Sequence, residues 1–274
     1  MRQRGPFLRH SMLLLAMVPG VRLHQLRTAD SKLYDFVGLS SWGDVVDTIR
    51  QRPVEAAVLD PVFGDAPRTR EIERLRLLFP SLPVLLYTTL SPETAGVLLE
   101  LGRIGIRRVI FARFDDSPAG LRAVLRDEME ESASRKVIQA LEGLLEGLPG
   151  RVRQTLETML YAPPDAGSVT ALAYRMGVQR RTCERWFAKM GLPSPRMVLV
   201  LARLLYAHRL LQDPGYTVED VAIRLGYGKT RSLQNQFKEV FGVTAGELRL
   251  SLTVDEALAL VTKRYFTSLR QAAS

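Results

Sequence analysis

The chain is poor in the side chains that most metal and redox chemistry needs. A single cysteine, Cys183, excludes an internal disulfide and a cysteine-based metal site, and His10, His24 and His208 are the whole imidazole supply. No apolar run approaches the roughly 20 residues that a membrane helix requires. The stretch Met12–Val18 follows a basic segment, Met1 to His10, and precedes Pro19-Gly20, so it mimics a short secretory signal. Without a fitting small-residue cleavage site it reads as a first buried strand. There is no glycine-rich phosphate loop, no metal-ligand spacing and no Ser/His/Asp grouping. No catalytic residue, metal or cofactor is therefore assigned, and the cysteine usage suits a cytoplasmic protein.

What is present is a globular composition, 46% hydrophobic and 24% charged, over 274 residues, which is room for two ordinary domains. The charge is lopsided. Residues 1 to 131 hold 18 Lys and Arg against 17 Asp and Glu, while residues 132 to 274 hold 20 against 12, so nearly all of the net +9 lies in the second half. Such asymmetry points to a polyanionic partner for that half.

In the first half, short apolar runs alternate with amphipathic stretches. Met12–Val18, Tyr34–Leu39, Ala56–Asp60, Val84–Thr88 and Arg108–Ala112 read as strands; Ser41–Gln51, Pro67–Phe79, Pro92–Leu101 and Pro118–Glu131 read as helices. That alternation predicts an α/β domain over residues 1–131, a parallel sheet covered on both faces. The runs Ala56-Ala57-Val58-Leu59-Asp60 and Leu82-Pro83-Val84-Leu85-Leu86-Tyr87-Thr88, with Gly105 before the last strand, resemble the receiver domain of bacterial response regulators. The resemblance implies a doubly wound five-stranded sheet of order 2-1-3-4-5. It also places Asp60 at the phosphoacceptor position and Thr88 at the residue that senses the phosphoryl group.

Two parts of that chemistry are missing. A receiver holds Mg²⁺ with acidic residues after its first strand, where this chain has Met17-Val18-Pro19-Gly20, and the expected lysine after the fifth strand falls on Ala112, next to Arg113. The expectation is a domain that is not phosphorylated, in which Asp60 accepts hydrogen bonds from backbone N–H groups of the Pro61–Asp65 turn. From Pro118 an apolar stripe continues to Leu148, and residues 132–148 read as a connecting helix that either pairs with its copy in a homodimer or packs on its own domain.

Beyond Pro149 the strand signals vanish. After a helix at Arg151–Tyr161, Ser168 reads as an N-cap, Val169, Leu172, Ala173 and Met176 as a buried face, and Gly177 as a sharp turn with Val178 plugged inward. The next helix turns Cys183, Phe187 and Met190 inward, which sends Arg180, Arg181, Glu184, Arg185 and Ala188 outward. About fifty residues on, the grammar repeats. Thr217 caps a helix burying Val218, Val221, Ala222 and Leu225, Gly226-Tyr227 turns, and the following helix buries Leu233 and Phe237. Its outward set is Lys229, Thr230, Arg231, Gln234, Asn235 and Lys238. One helix, Pro195–Gln212, joins the two units.

These segments resemble the AraC-type DNA-binding domain over residues 149–250. The resemblance is carried by Leu172-Ala173 through Gly177-Val178, Arg185-Trp186-Phe187, Gly191-Leu192-Pro193-Ser194-Pro195, Ala207-His208-Arg209-Leu210-Leu211, Val221 to Tyr227, Phe237-Lys238 and Phe241-Gly242-Val243-Thr244. The family's closing Thr-Pro pair and its aromatic before arginine are Ala245 and Leu248 here, and Lys229, Arg231 and Asn235 depart from the usual second recognition helix. The resemblance implies an all-helical domain with two helix-turn-helix units. Arg180, Arg181, Glu184 and Arg185 would face DNA from the first, and Lys229, Arg231, Gln234, Asn235 and Lys238 from the second, because Arg reads guanine, Gln and Asn read adenine, and Lys fixes phosphates.

The expectation is an α/β plus all-α protein that regulates transcription by binding double-stranded DNA as a homodimer. Its further partners would be RNA polymerase and an unidentified signal or protein at the N-terminal domain; no membrane is involved. Two alternatives stay open: a phosphorylation-switched response regulator acting at Asp60, and a protein-binding module without DNA affinity. Residues 251–274 read as a C-terminal helix and tail of no legible role.

Overall fold

The computed structural model describes residues 12–64, 66–129, 150, 153, 168–189 and 191–266. The expected helices at 132–148 and 151–161, the inward Met190 and the tail from residue 267 lie outside them. Two compact units are present, one made of Met1–Val46, Val54–Arg74 and Pro83–Met129, the other of Asp47–Pro53, Leu75–Leu82 and Glu130–Ser274.

The first unit is built on strands β1 (Met12–Met17), β2 (Tyr34–Gly38), β3 (Val54–Leu59), β4 (Val84–Thr88) and β5 (Val109–Phe111). They form one parallel sheet of order 2-1-3-4-5, as the receiver resemblance implies. The central strands β3 and β4 are buried along their whole length, the mark of a parallel sheet covered on both sides. Leu14, Ala16, Ala56, Val58, Leu85 and Tyr87 gather with Leu26, Ala29, Leu121, Leu125 and Met129 on one side of the sheet. Strand alternation sends Leu15, Met17, Ala57, Leu59 and Leu86 to the other side, each at most 1% exposed.

Helices α1 (Gly20–Ala29), α2 (Gly43–Gln51), α3 (Thr69–Leu78), α4 (Pro92–Arg103) and α5 (Pro118–Met129) connect and follow the strands. Four of these match the sequence reading. Helix α1 does not, because the reading left Pro19 to Asp30 without an element. Its sequence hides it: Pro19 offers no side-chain cap, the first turn has no acidic residue, and only Leu26 and Ala29 are buried. Packing of those two residues and Leu23 on the core holds this segment helical, where intrinsic helix signals are weak.

The second unit is helical: α6 (Val169–Arg175), α7 (Arg180–Lys189), α8 (Pro195–Leu211), α9 (Val218–Arg224), α10 (Thr230–Phe241), α11 (Ala245–Ser251) and α12 (Val254–Tyr265). Helix α8 is buried almost all round, and α7, α9, α10, α11 and α12 pack on it. Capping boxes open α9, α11 and α12 through Thr217 and Asp220, Thr244 and Glu247, and Thr253 and Glu256. Ala245 and Leu248, which depart from the resembled motif, are both buried in α11. Among the buried polar groups of this unit, Arg224 donates to the hydroxyls of Tyr216 and Tyr206 and to the carbonyls of Ile49 and Arg52. Asp213 accepts from the amide and hydroxyl of Ser81.

His208, fully buried on α8, places Nε2 3.0 Å from the carbonyl of Leu252. Burial lowers its pKa from 6.5, against the opposing backbone contacts of Thr253 and Leu252. A histidine whose folded pKa lies below its unfolded value costs stability as the pH falls, since the unfolded chain takes up the proton first. Unfolding free energy is therefore expected to drop below about pH 6.5, with a slope from this group of at most about 1.4 kcal/mol per pH unit. Denaturant titrations of His208→Gln are expected to show a flatter pH dependence there; an identical profile for both proteins would remove His208 from the account.

Candidate nucleic-acid interface

Each helix-turn-helix unit is assembled by the same backbone device. Ser168 caps α6 by accepting from the Ala171 amide at 3.1 Å, and Val169, Leu172, Ala173 and Met176 are buried beneath it. At the turn, Gly177 adopts φ 66°, while its amide reaches the Tyr174 carbonyl and that of Val178 reaches Ala173, both at 3.0 Å. In the second unit Gly226 adopts φ 70°, and the amides of Gly226 and Tyr227 reach the carbonyls of Ile223 and Ala222 at 2.9 Å. A residue with a side chain is strained at such φ, so glycine at both positions fixes where the chain reverses.

Reversal at those points sets which faces of α7 and α10 remain outside. Cys183 and Phe187 of α7 are fully buried, with Cys183 Sγ 4.0 Å from Met176 Sδ. Burial foremost, then the charge of Glu184, pushes the Cys183 thiol above its usual pKa, which keeps it an unreactive core group. Leu233, Phe237 and Val240 are the buried side of α10, and the rings of Phe237 and Phe241 stack at 5.7 Å. Arg180, Arg181 and Arg185 are exposed on α7, and Glu184 is half-buried. Lys229, Arg231, Asn235 and Lys238 are exposed at and along α10, with Gln234 half-buried. The structure thus gathers the nine sequence-predicted residues onto two helix faces.

Two features were not anticipated. Arg180 Nε lies 2.8 Å from Glu184 Oε1, so these two expected DNA-facing residues are engaged with each other in the free protein. The pair is solvated and contributes little to stability. The other is Arg203 on α8, which donates to the Leu225 carbonyl and lies 4.6 Å from the ring centroid of Tyr227. Tyr227 in turn donates to Gln236 Oε1 at 2.6 Å. Together they tie the turn of the second unit to both α8 and α10.

In the α/β unit, Asp60 is 3% exposed at the end of β3. Its Oδ1 accepts from the Val62 amide at 3.1 Å, the turn hydrogen bond expected from the sequence, and from Thr88 Oγ1 at 3.1 Å. Its Oδ2 lies 2.6 Å from Arg22, which also donates to the Tyr87 carbonyl at 2.9 Å. Sequence reading missed Arg22 because it missed α1, which carries it. The residues here do not fit the Mg²⁺ of the resembled receivers: an arginine already answers the carboxylate, and Met17 and Val18 bring no carboxylate to share the metal. Beside this pair, Tyr87 donates to Gln25 Oε1 at 2.7 Å and to Asp116 Oδ2 at 3.0 Å. Burial, reinforced by Asp116, pushes the Tyr87 hydroxyl far above its ordinary pKa and keeps it a donor.

Residues 172–251 match a family described as a helix-turn-helix domain, over the stretch in which the sequence carries the AraC-type resemblance. No curated relative matches the chain. Among solved structures it is similar to full-length FixJ from B. japonicum, at 16% identity and a TM-score of 0.36, over 79% of this chain and 98% of that one. No helix among the described residues is long and apolar enough to cross a membrane.

Asp60 is buried and Arg22 half-buried over it, so removing the arginine strands a carboxylate in the interior. Arg22→Met is expected to destabilise the protein by about 3 kcal/mol in denaturant unfolding, and adding Asp60→Asn to recover a large part of that loss. Additive losses in the double variant would show that the two side chains do not depend on each other.

Proposed function

We propose that the protein is a sequence-specific DNA-binding regulator of transcription in which α7 and α10 each enter a major groove. The observation that carries this reading is the duplication itself: two helix-turn-helix units with one backbone design, basic outward faces and a shared helix α8 between them. Arg181, Glu184 and Arg185 read bases from α7, and Arg231, Gln234 and Asn235 from α10, while Arg180, Lys229 and Lys238 hold phosphates. The division of labour is a regulatory domain at 1–131, a connecting helix at 132–148, the DNA-binding domain at 149–250 and a C-terminal helix and tail at 251–274. The regulator is cytoplasmic and non-enzymatic, works as a homodimer and meets RNA polymerase, and its N-terminal domain meets an unidentified signal or protein.

That domain acts without phosphorylation in this reading. Arg22 supplies at Asp60 the positive charge that a metal ion would otherwise bring to a transferred phosphoryl group, and Thr88 is already drawn to the same carboxylate. Acetyl phosphate with Mg²⁺ is expected to leave the intact mass unchanged; a stoichiometric acyl phosphate on Asp60 would reverse this and make the protein a phosphorylation-switched regulator.

Base reading is tested by Arg185→Ala and Arg231→Ala. Each removes one positive charge, so pure phosphate binders would lose affinity alike on every duplex. Each variant is expected to lose about 1 to 3 kcal/mol on the preferred site and far less on random DNA. Equal losses on both duplexes would overturn the base-reading roles, and absence of any DNA affinity in the intact protein at about 100 mM salt would favour a protein-binding module instead.

A further inference from the structure

Between the two helix-turn-helix units lies a cleft of about 350 Å³, lined by Ser168 and Thr170 of the first unit, Arg180 of α7, Arg196 and Arg203 of α8, and Gln236 of α10. Three guanidiniums line this space, and no carboxylate among the described residues does. Their charges are answered to different degrees. Arg180 shares its charge with Glu184. Arg203 is spent on the Leu225 carbonyl and the Tyr227 ring, but its buried Nε has no hydrogen-bond partner among the described residues. Arg196, exposed in the first turn of α8, forms no ion pair among the described residues. Like charges gathered in a half-enclosed space repel one another, and an anion that enters relieves that repulsion.

The cleft also lies between α7 and α10, and Arg180 belongs both to its wall and to the outward face of α7. When two helices occupy successive major grooves on one side of a duplex, a minor groove bordered by two phosphate chains runs between them. Guanidiniums, hydroxyls and a carboxamide are the donors that such phosphates accept. We propose that this cleft, centred on Arg196, grips the phosphodiester backbone of the DNA segment spanning the two recognition helices. The assignment rests on the DNA-binding reading above and adds a contact that carries no sequence information, since it sets how far the two helices can slide along the duplex.

The test uses the full chain on its preferred duplex and on a random one. Arg196→Gln is expected to weaken both complexes by the same factor, roughly tenfold, to lower the slope of log affinity against log salt by about 1, and to leave base preference unchanged. Arg196→Lys is expected to restore the slope. A neutral methylphosphonate between the two half-sites is expected to weaken the wild-type complex and to leave the Arg196→Gln complex nearly unaffected. An unchanged salt slope, or methylphosphonate losses equal in both proteins, overturns the proposal while DNA binding stands. A wild-type protein that binds neither duplex overturns the DNA reading and this contact with it. If inorganic phosphate at matched ionic strength stabilises the DNA-free protein through Arg196 while methylphosphonates cost nothing, the cleft holds a free anion and the proposal fails.

Discussion

A helix pair as short as α6 and α7, or α9 and α10, can bury its apolar residues only if the chain reverses sharply between the two helices. Gly177 and Gly226 make that reversal at positive φ, and their hydrogen bonds repeat from one unit to the other. Much of the second unit depends on this constraint. Once the reversal is fixed, Cys183 and Phe187, or Leu233 and Phe237, must point inward, and the polar residues that alternate with them at helical spacing must point out. The basic faces are thus the geometric remainder of core packing. Helix α8 extends the constraint over both helix-turn-helix pairs, since it is buried nearly all round and its 17 residues run about 26 Å along its axis.

The first unit shows a different use of the same principle, that a buried charge must be answered. Asp60 sits at the end of a fully buried strand, where an unpaired carboxylate would be costly. Arg22 provides a permanent counter-charge from α1, and the Val62 amide and Thr88 hydroxyl complete the shell. The aspartate at the end of β3 is therefore held in an ion pair and a closed set of hydrogen bonds. The adjoining contacts of Tyr87, Gln25 and Asp116 link α1, β4 and the segment that leads into α5 in a closed polar network.

Much of this was legible in the sequence because hydrophobic period and glycine position carry it. The strand Val84–Thr88 stands where the apolar run placed it, and the caps at Ser168 and Thr217 were readable from residue type. What escaped notice did so for physical reasons. Strand β3 begins at Val54, two residues before the expected start, because Glu55 is buried within it and broke the apolar pattern. Helix α1 lacks an apolar stripe and a cap, so its existence depends on tertiary packing that no local pattern reveals. Arg22 was lost with it. Arg196 and Arg203 sit on α8 outside the recognition helices, and only three-dimensional proximity brings them beside Arg180 and Gln236.

The central claim is that α7 and α10 act together as one reader on successive grooves. Selecting binding sites from random duplexes with the intact protein, followed by hydroxyl-radical footprinting of the winners, tests it directly. The account predicts two blocks of enriched bases whose centres lie about one helical turn, roughly 10 base pairs, apart on one face of the duplex. No enrichment, or a single block with no counterpart one turn away, would contradict it.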